Sequence, residues 1–199
     1  PEYIRLIAQG RYSDAYMVNW ESNVFPGILG RTCDRPCEPA CRRGRVEERN
    51  AEKPEPVAIC RLKRVAADNK EDIRDRLPKP PQHKNGKRVA CIGAGPSSLT
   101  VARDLAPLGY SVTVYDQDAR AGGMIWSQIP RFRLPMEVID EETGYILNLG
   151  VEFKSSTRID SLKKVAAEGY DAIFVGTGAP RGRDLDIPGR KEAAKNIHI

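Results

Sequence analysis

Three cysteines crowd together in the spacing Cys33-x3-Cys37-x3-Cys41, and a fourth, Cys60, follows at a distance. Thiolates gathered this closely on a loop suit an iron–sulfur cluster, which draws a further ligand from a remote segment. Cys60 is the remote candidate. Zinc is the rival occupant, because four thiolates in a tetrahedron satisfy it equally well. The spacing is not a usual zinc pair spacing, and a second site downstream gives an electron carrier a purpose. That second site is Val89-Ala90-Cys91-Ile92-Gly93-Ala94-Gly95-Pro96-Ser97-Ser98, an apolar run that enters a glycine turn. Such a turn lays a dinucleotide pyrophosphate on the N-terminus of the following helix. One-electron and two-electron carriers joined in one polypeptide imply electron transfer. Cys91 lies inside the apolar run and reads as a small core residue.

The glycine turn has the context that such a motif needs, a strand before it and a helix after it. Gly93 permits the tight turn, and Gly95 lets the backbone approach the pyrophosphate. Pro96, followed by Ser97, pre-forms the first helical turn. Ser98 stands where a third glycine is usual. Asp116 closes the next apolar run and is placed to take ribose hydroxyls, while its charge repels a 2′-phosphate. This argues against NADP here and leaves FAD or NAD. Gly122-Gly123 and Gly176-Thr177-Gly178-Ala179 favour FAD, because two-dinucleotide flavoproteins carry glycines where backbone passes close to the flavin. Gln117, Gly123, Met124, Ile159 and Gly178 complete the set expected to touch the nucleotide.

These residues need elements to hold them. Residues 1 to about 23 have near-helical apolar spacing, and Asn23-Val24-Phe25-Pro26-Gly27 breaks the pattern before the cysteines. A helix is expected over Val57 to Asp68. From Asn69 to Lys87 the composition turns Pro-rich and charged, a semi-rigid linker in which His83 is a solvated residue. Beyond it the pattern is α/β: strands at Arg88–Ile92, Ser111–Tyr115, Val151–Phe153 and Ala172–Val175, and helices over Pro96–Leu108 and Glu137–Leu149. The expected architecture is a small helical iron–sulfur domain over 1–77, a linker over 78–87, and an incomplete Rossmann-like FAD domain over 88–199.

The 199 residues carry a net charge of +5, with Lys and Arg interleaved among Asp and Glu, so nothing resembles a nucleic-acid-binding stripe. The knot Arg42-Arg43-Gly44-Arg45 runs straight into Glu47-Glu48 and reads as a solvated turn; positive charge beside an anionic cluster would also raise its potential. No apolar run reaches the ~20 residues of a membrane-spanning helix. Five cysteines, three of them crowded, fit a reducing compartment, with cytoplasm the default. The sequence offers no catalytic Ser–His–Asp set, carboxylate pair or HExxH, so no catalytic residue is assigned.

Taken together, these motifs resemble the small subunit of NADPH-dependent glutamate synthase and its relatives, including the N-terminal half of dihydropyrimidine dehydrogenase. Gly30-Arg31-Thr32-Cys33 through Cys37-Glu38-Pro39-Ala40-Cys41 is similar to the cluster motif of that family. Pro56-Val57-Ala58-Ile59 resembles the segment carrying its last ligand, and Ile129-Pro130-Arg131-Phe132-Arg133-Leu134-Pro135 resembles a family hallmark. The resemblance implies that Cys33 and Cys37 ligate one [4Fe–4S] cluster and Cys41 a second, with the other ligands from a cysteine group further N-terminal. It implies electrons passing from NAD(P)H through FAD and the clusters to a partner subunit or domain. It also implies an internal fragment, inactive alone, without the C-terminal NAD(P)H domain. Two departures stand out. Lys63 occupies the place of a Glu or Gln ligand, so Cys60, one helical turn earlier, is expected to take over. Trp126-Ser127-Gln128 replaces a basic residue and a glycine, which bears on local flavin contacts. Arg131 and Arg133 are open to the flavin, to an acidic partner or to solvent. The alternative of another class is a zinc-stabilised nucleotide-binding or docking module without turnover.

Overall fold

The apolar runs become strands in a single parallel sheet: β1 (Arg88–Ile92), β2 (Ser111–Tyr115), β3 (Glu152–Lys154) and β4 (Ala172–Val175). In this computed structural model residues 1–46, 54–179, 182, 184, 186–193 and 195–196 are described. Glu47 and Glu48, read above as neighbours of the basic knot, lie outside them. The strand order is β3-β2-β1-β4, with Val89 beside Val112 on one side and beside Ala172 on the other. The chain steps outward from β1 to β3, then returns across β1 to place β4. The carboxyl ends of β1 and β4 therefore flank a topological switch point, where open α/β sheets take their ligands.

Strand alternation covers both faces of the sheet. Val89, Cys91, Val112 and Val114 meet α5 (Pro96–Leu105) through Leu99 and Ala102, and α7 (Met136–Leu147) through Ile139 and Ile146. On the opposite face Ala90, Ile92 and Tyr115 pack on Val165 of α8 (Leu162–Ala167). A single turn, α6 (Met124–Ser127), follows the Gly122-Gly123 pair. α6 and α8 were not expected, since segments this short carry no readable period.

The N-terminal half is helical. The expected run over 1–23 is two helices, α1 (Glu2–Ala8) and α2 (Tyr12–Asn23), because Gly10 takes φ +72° and turns the chain between them. An unexpected helix, α3 (Pro26–Thr32), starts at the residues read as breakers. Proline at a first helical position lacks an N–H that would have had no partner there, so Pro26 starts a helix rather than ending one. α4 spans Ile59–Asn69, displaced slightly from the expected Val57–Asp68. It approaches α3 so closely at Gly30 that a methyl group there would lie 2.8 Å from the Arg64 nitrogen.

Packing runs across the linker. Val24, Phe25 and Ile28 enter the same core as β1 and β2. In return, Tyr145 of α7 joins Ala15, Tyr16, Trp20, Ala66 and Ile73 in the helical core. The linker rests on the turns of the sheet: the Asn85 amide donates to the Gly109 carbonyl at 2.9 Å. Helix α7 thus carries two buried faces, one for each half.

Candidate functional site

The nucleotide crevice is built from strand ends and glycines. Gly93 holds φ +93°, its N–H donates to the Tyr115 carbonyl, and the Gly176 N–H donates to Ile92 at the same 2.8 Å. A methyl group at Gly93 would stand 2.5 Å from the Gly176 oxygen, and one at Gly123 would stand 2.9 Å from Cα of Gly95. The two glycine turns are pressed together, and the Gly122 amide fastens them by donating to Ala94 at 2.8 Å. Around Gly95 the space is open, with the Gly176 oxygen no nearer than 3.9 Å to a methyl placed there. That gap faces the first turn of α5, where Pro96 and Ser97 lie. A group of pyrophosphate shape fits such a cradle. Ser98 leaves a buried hydroxyl without a hydrogen-bond partner beside it.

Gly93, Asp116, Gln117 and Ile159 share one crevice of about 230 Å³, together with Thr157, Arg158 and Thr177. Gly95, Pro96, Ser97, Gly123, Met124 and Gly178, also expected at the nucleotide, do not line this crevice: Gly123 abuts Gly95, Gly178 follows Thr177 in the chain, and Met124 is exposed. Asp116 also has a role that its position in the sequence did not disclose. One oxygen accepts the Ala94 N–H at 2.5 Å and the other the Asp118 N–H at 2.8 Å, so the acid ties the glycine turn to the end of β2. A carboxylate oxygen has two lone pairs, which leaves acceptor capacity for ribose hydroxyls. Thr157 and Arg158 come from an irregular segment and had no signal in the sequence. At the departure noted above, Ser127 donates to the Gly123 carbonyl at 3.0 Å, and the Trp126 indole nitrogen is buried without a partner.

The cysteines divide by what surrounds their sulfurs. Cys33 accepts the Arg35 N–H at 3.3 Å, in a turn where Arg35 takes φ +61°. The Cys41 sulfur is faced by the N–H groups of Val57, Arg43 and Gly44, and those donors lower its pKa. Backbone donors around sulfur favour a thiolate and tune a bound cluster. Cys37 is exposed on the same loop. An open depression of about 440 Å³ lies over Cys41, between Asp34, Arg35 and Glu38. Cys60 is different: it is buried, and its thiol donates to the carbonyls of Leu29 and Gly30, each at 3.4 Å. Burial pushes its pKa up, with Cys33 a further cause. Cys91 is buried in the sheet, which pushes its pKa up to about 11. Lys63 reaches Asn23 at 3.4 Å. Among the described residues no three His, Cys, Asp or Glu side chains converge on one metal position. The donor chemistry at Cys33 and Cys41 fits a cluster, but a complete ligand set is not formed by these residues alone.

The hallmark loop touches the end of α3 that leads into the cysteines. Arg133 donates to the carbonyls of Arg31 and Thr32, both at 3.3 Å, directly before Cys33. Its neighbour Phe132 is 93% exposed.

Comparison with known proteins agrees with this division. Residues 1–74 match the family model for dihydropyrimidine dehydrogenase domain II, 4Fe–4S cluster, and residues 91–152 that for an NAD(P)-binding Rossmann-like domain. The chain is 35% identical to the NADP(+)-dependent formate dehydrogenase subunit beta of Moorella thermoacetica, with 96% of this chain aligned. It is 33% identical to the glutamate synthase [NADPH] small chain of Mycobacterium tuberculosis, again over 96% of this chain. The chain is a homologue of the glutamate synthase small subunit and related oxidoreductases. It spans 29% of the first relative's length and 38% of the second's. A solved amine oxidase from Pseudomonas geniculata aligns at TM-score 0.42 and 27% identity, over 56% of this chain and 18% of that one. In this glutamate synthase small-subunit homologue the iron–sulfur domain therefore precedes the Rossmann-like domain, in the order read from the cysteines and the glycine turn.

Proposed function

We propose that this chain is the electron-transfer core of a larger NAD(P)H-dependent oxidoreductase, with FAD in the crevice and [4Fe–4S] iron held through Cys33, Cys37 and Cys41. When bound, the flavin exchanges hydride with a nicotinamide and the clusters carry single electrons onward to a partner subunit or domain. The chain's own residues bind and orient. Gly93, Gly95 and the first turn of α5 offer backbone to the pyrophosphate, and Asp116 with Gln117 offers acceptors to the ribose. Gly123 and Gly178 would let backbone approach a bound flavin closely. Backbone N–H groups donate toward the Cys33 sulfur and lower the pKa of Cys41, and thiolates from outside this set would complete the ligand shell.

The observation that supports this reading is the packing of the cysteine-bearing half, through Val24, Phe25 and Ile28, into the same core as the strands that end at the glycine crevice. The test is the visible spectrum of anaerobically purified protein, with iron, sulfide, zinc and acid-released flavin measured on the same sample. FAD with iron and sulfide is the expected result. FAD alone would restrict the reading to the crevice. Zinc without flavin would overturn it in favour of a docking module.

A further inference from the structure

Glu142 is a carboxylate only 1% exposed, and neither site described above uses it. It lies on α7, midway between the two buried faces of that helix. Its oxygens accept three hydrogen bonds: Tyr16 Oη and the Gly27 N–H donate to Oε1, each at 2.6 Å, and the Ile28 N–H donates to Oε2 at 3.0 Å. All three donors belong to the N-terminal half, and the acceptor belongs to the nucleotide half. Gly27 and Ile28 open α3, where N–H groups have no acceptor within the helix. α3 ends at Thr32, and the Cys33 N–H closes it on Leu29 at 3.1 Å. Arg133 takes the carbonyls at that far end. One segment, from Arg133 to Glu142, therefore grips α3 at both termini.

We propose that Glu142 is a positioning residue whose buried carboxyl group sets where α3, and with it the Cys33 sulfur, stands against the nucleotide crevice. Its importance for electron transfer rests on the reading of Cys33 as a cluster ligand, but the grip on α3 does not. Without the carboxylate, two backbone donors and a phenol would be buried unpaired, so α3 would lose its docked position.

The surroundings of Glu142 make its protonation a specific readout. Tyr16 faces it from α2, Lys70 from the segment after α4, and Glu141 and Tyr145 lie beside it on α7. Arg31 of α3 is paired with Asp68, and Arg103 of α5 with Asp104 and the Trp20 carbonyl. α6 contributes no charged side chain. Burial outweighs the donors and pushes the Glu142 pKa up to about 7. When α3 lifts away, the carboxyl meets water and its pKa returns toward 4.5. The docked state thus holds its proton more tightly than the open one, and docking weakens as pH rises through 7.

Amide hydrogen exchange on the full chain, corrected for intrinsic rates, tests this between pH 6 and 8. In the wild type, protection at residues 27–33 is expected to fall about tenfold across that range, while β1 and β2 amides stay constant. Glu142→Leu is expected to expose residues 27–33 by tenfold or more at both pH values. Glu142→Gln keeps one acceptor oxygen for Tyr16 and Gly27 but turns an NH2 toward the Ile28 N–H, and it carries no charge, so it is expected to retain more protection than Glu142→Leu and to lose the pH dependence. Residues 27–33 as protected in Glu142→Leu as in the wild type would overturn the proposal. If Glu142→Leu loses protection throughout the sheet as well, the Glu142→Gln profile decides: a slope equal to the wild type overturns the proposal, and a flat profile supports it. The measurement needs neither iron nor flavin, so empty cofactor sites would sink the proposed function and leave this result standing.

Discussion

A methyl group at Gly123 has no room against Gly95, and the backbone there, at φ +55° and ψ −129°, costs a non-glycine residue roughly 1–3 kcal/mol. Gly123→Ala is expected to weaken dinucleotide binding tenfold or more, read by fluorescence titration with FAD; unchanged affinity would remove Gly123 from the nucleotide site. The cysteines separate by their surroundings in the same way. Cys33→Ser is expected to lower bound iron. Cys91→Ser is expected to leave iron unchanged and to cost about 1–2 kcal/mol of stability, because it buries a hydroxyl in the sheet. At Cys60 a serine can still donate to Leu29 and Gly30, so the fold survives the change. A fall in iron there would mark Cys60 as a ligand, and constant iron would exclude it. The glycines of the crevice were legible in the sequence, because only glycine serves where backbones meet. The roles of Asp116 in bracing Ala94 and Asp118, and of Thr157 and Arg158 in lining the wall, were not, since no local spacing encodes them.

β1, β2 and β4 were legible to the residue, as apolar runs bounded by turn residues. α3 was not, because Pro26-Gly27 looks like an interruption until Glu142 is known to wait for its first amides. Its close seat on α4 depends on Gly30, where an added methyl meets the backbone of Arg64. Gly30→Ala is expected to destabilise the protein by about 1–3 kcal/mol in thermal unfolding; an unchanged melting temperature would contradict this seat. Helix α7 leads to a pH prediction. The Glu142 carboxyl, raised from 4.5 to about 7 by burial, binds its proton more tightly folded than unfolded. Its contribution to stability is full below pH 4.5 and is lost as pH rises through 7, a change of about 3 kcal/mol. Urea unfolding of the wild type minus that of Glu142→Gln isolates it. A difference that does not shrink between pH 5 and 8 would contradict the assignment.

Across the whole molecule, composition marked the Pro-rich stretch at 78–87 but could not show that Val24, Phe25 and Ile28 cross it to reach the sheet core. Such contacts join residues distant in sequence, and local composition is silent about them. Because α7 serves both cores, a single calorimetric transition is expected. Cleavage within 78–87 is expected to leave the two pieces associated during gel filtration; two transitions, or separating pieces, would show independent halves. The placement of Glu142 also bears on how such proteins recombine in evolution. A crossover at the linker looks harmless by sequence, yet it would present a buried acid to a foreign Tyr16, Gly27 and Ile28. Unless the incoming half supplied matching donors, the acid would sit protonated and unpaired at the seam, and the chimera would lose stability. Residues 1–77 and α7 are therefore expected to exchange only as a matched pair, because the boundary that composition draws runs through shared cores.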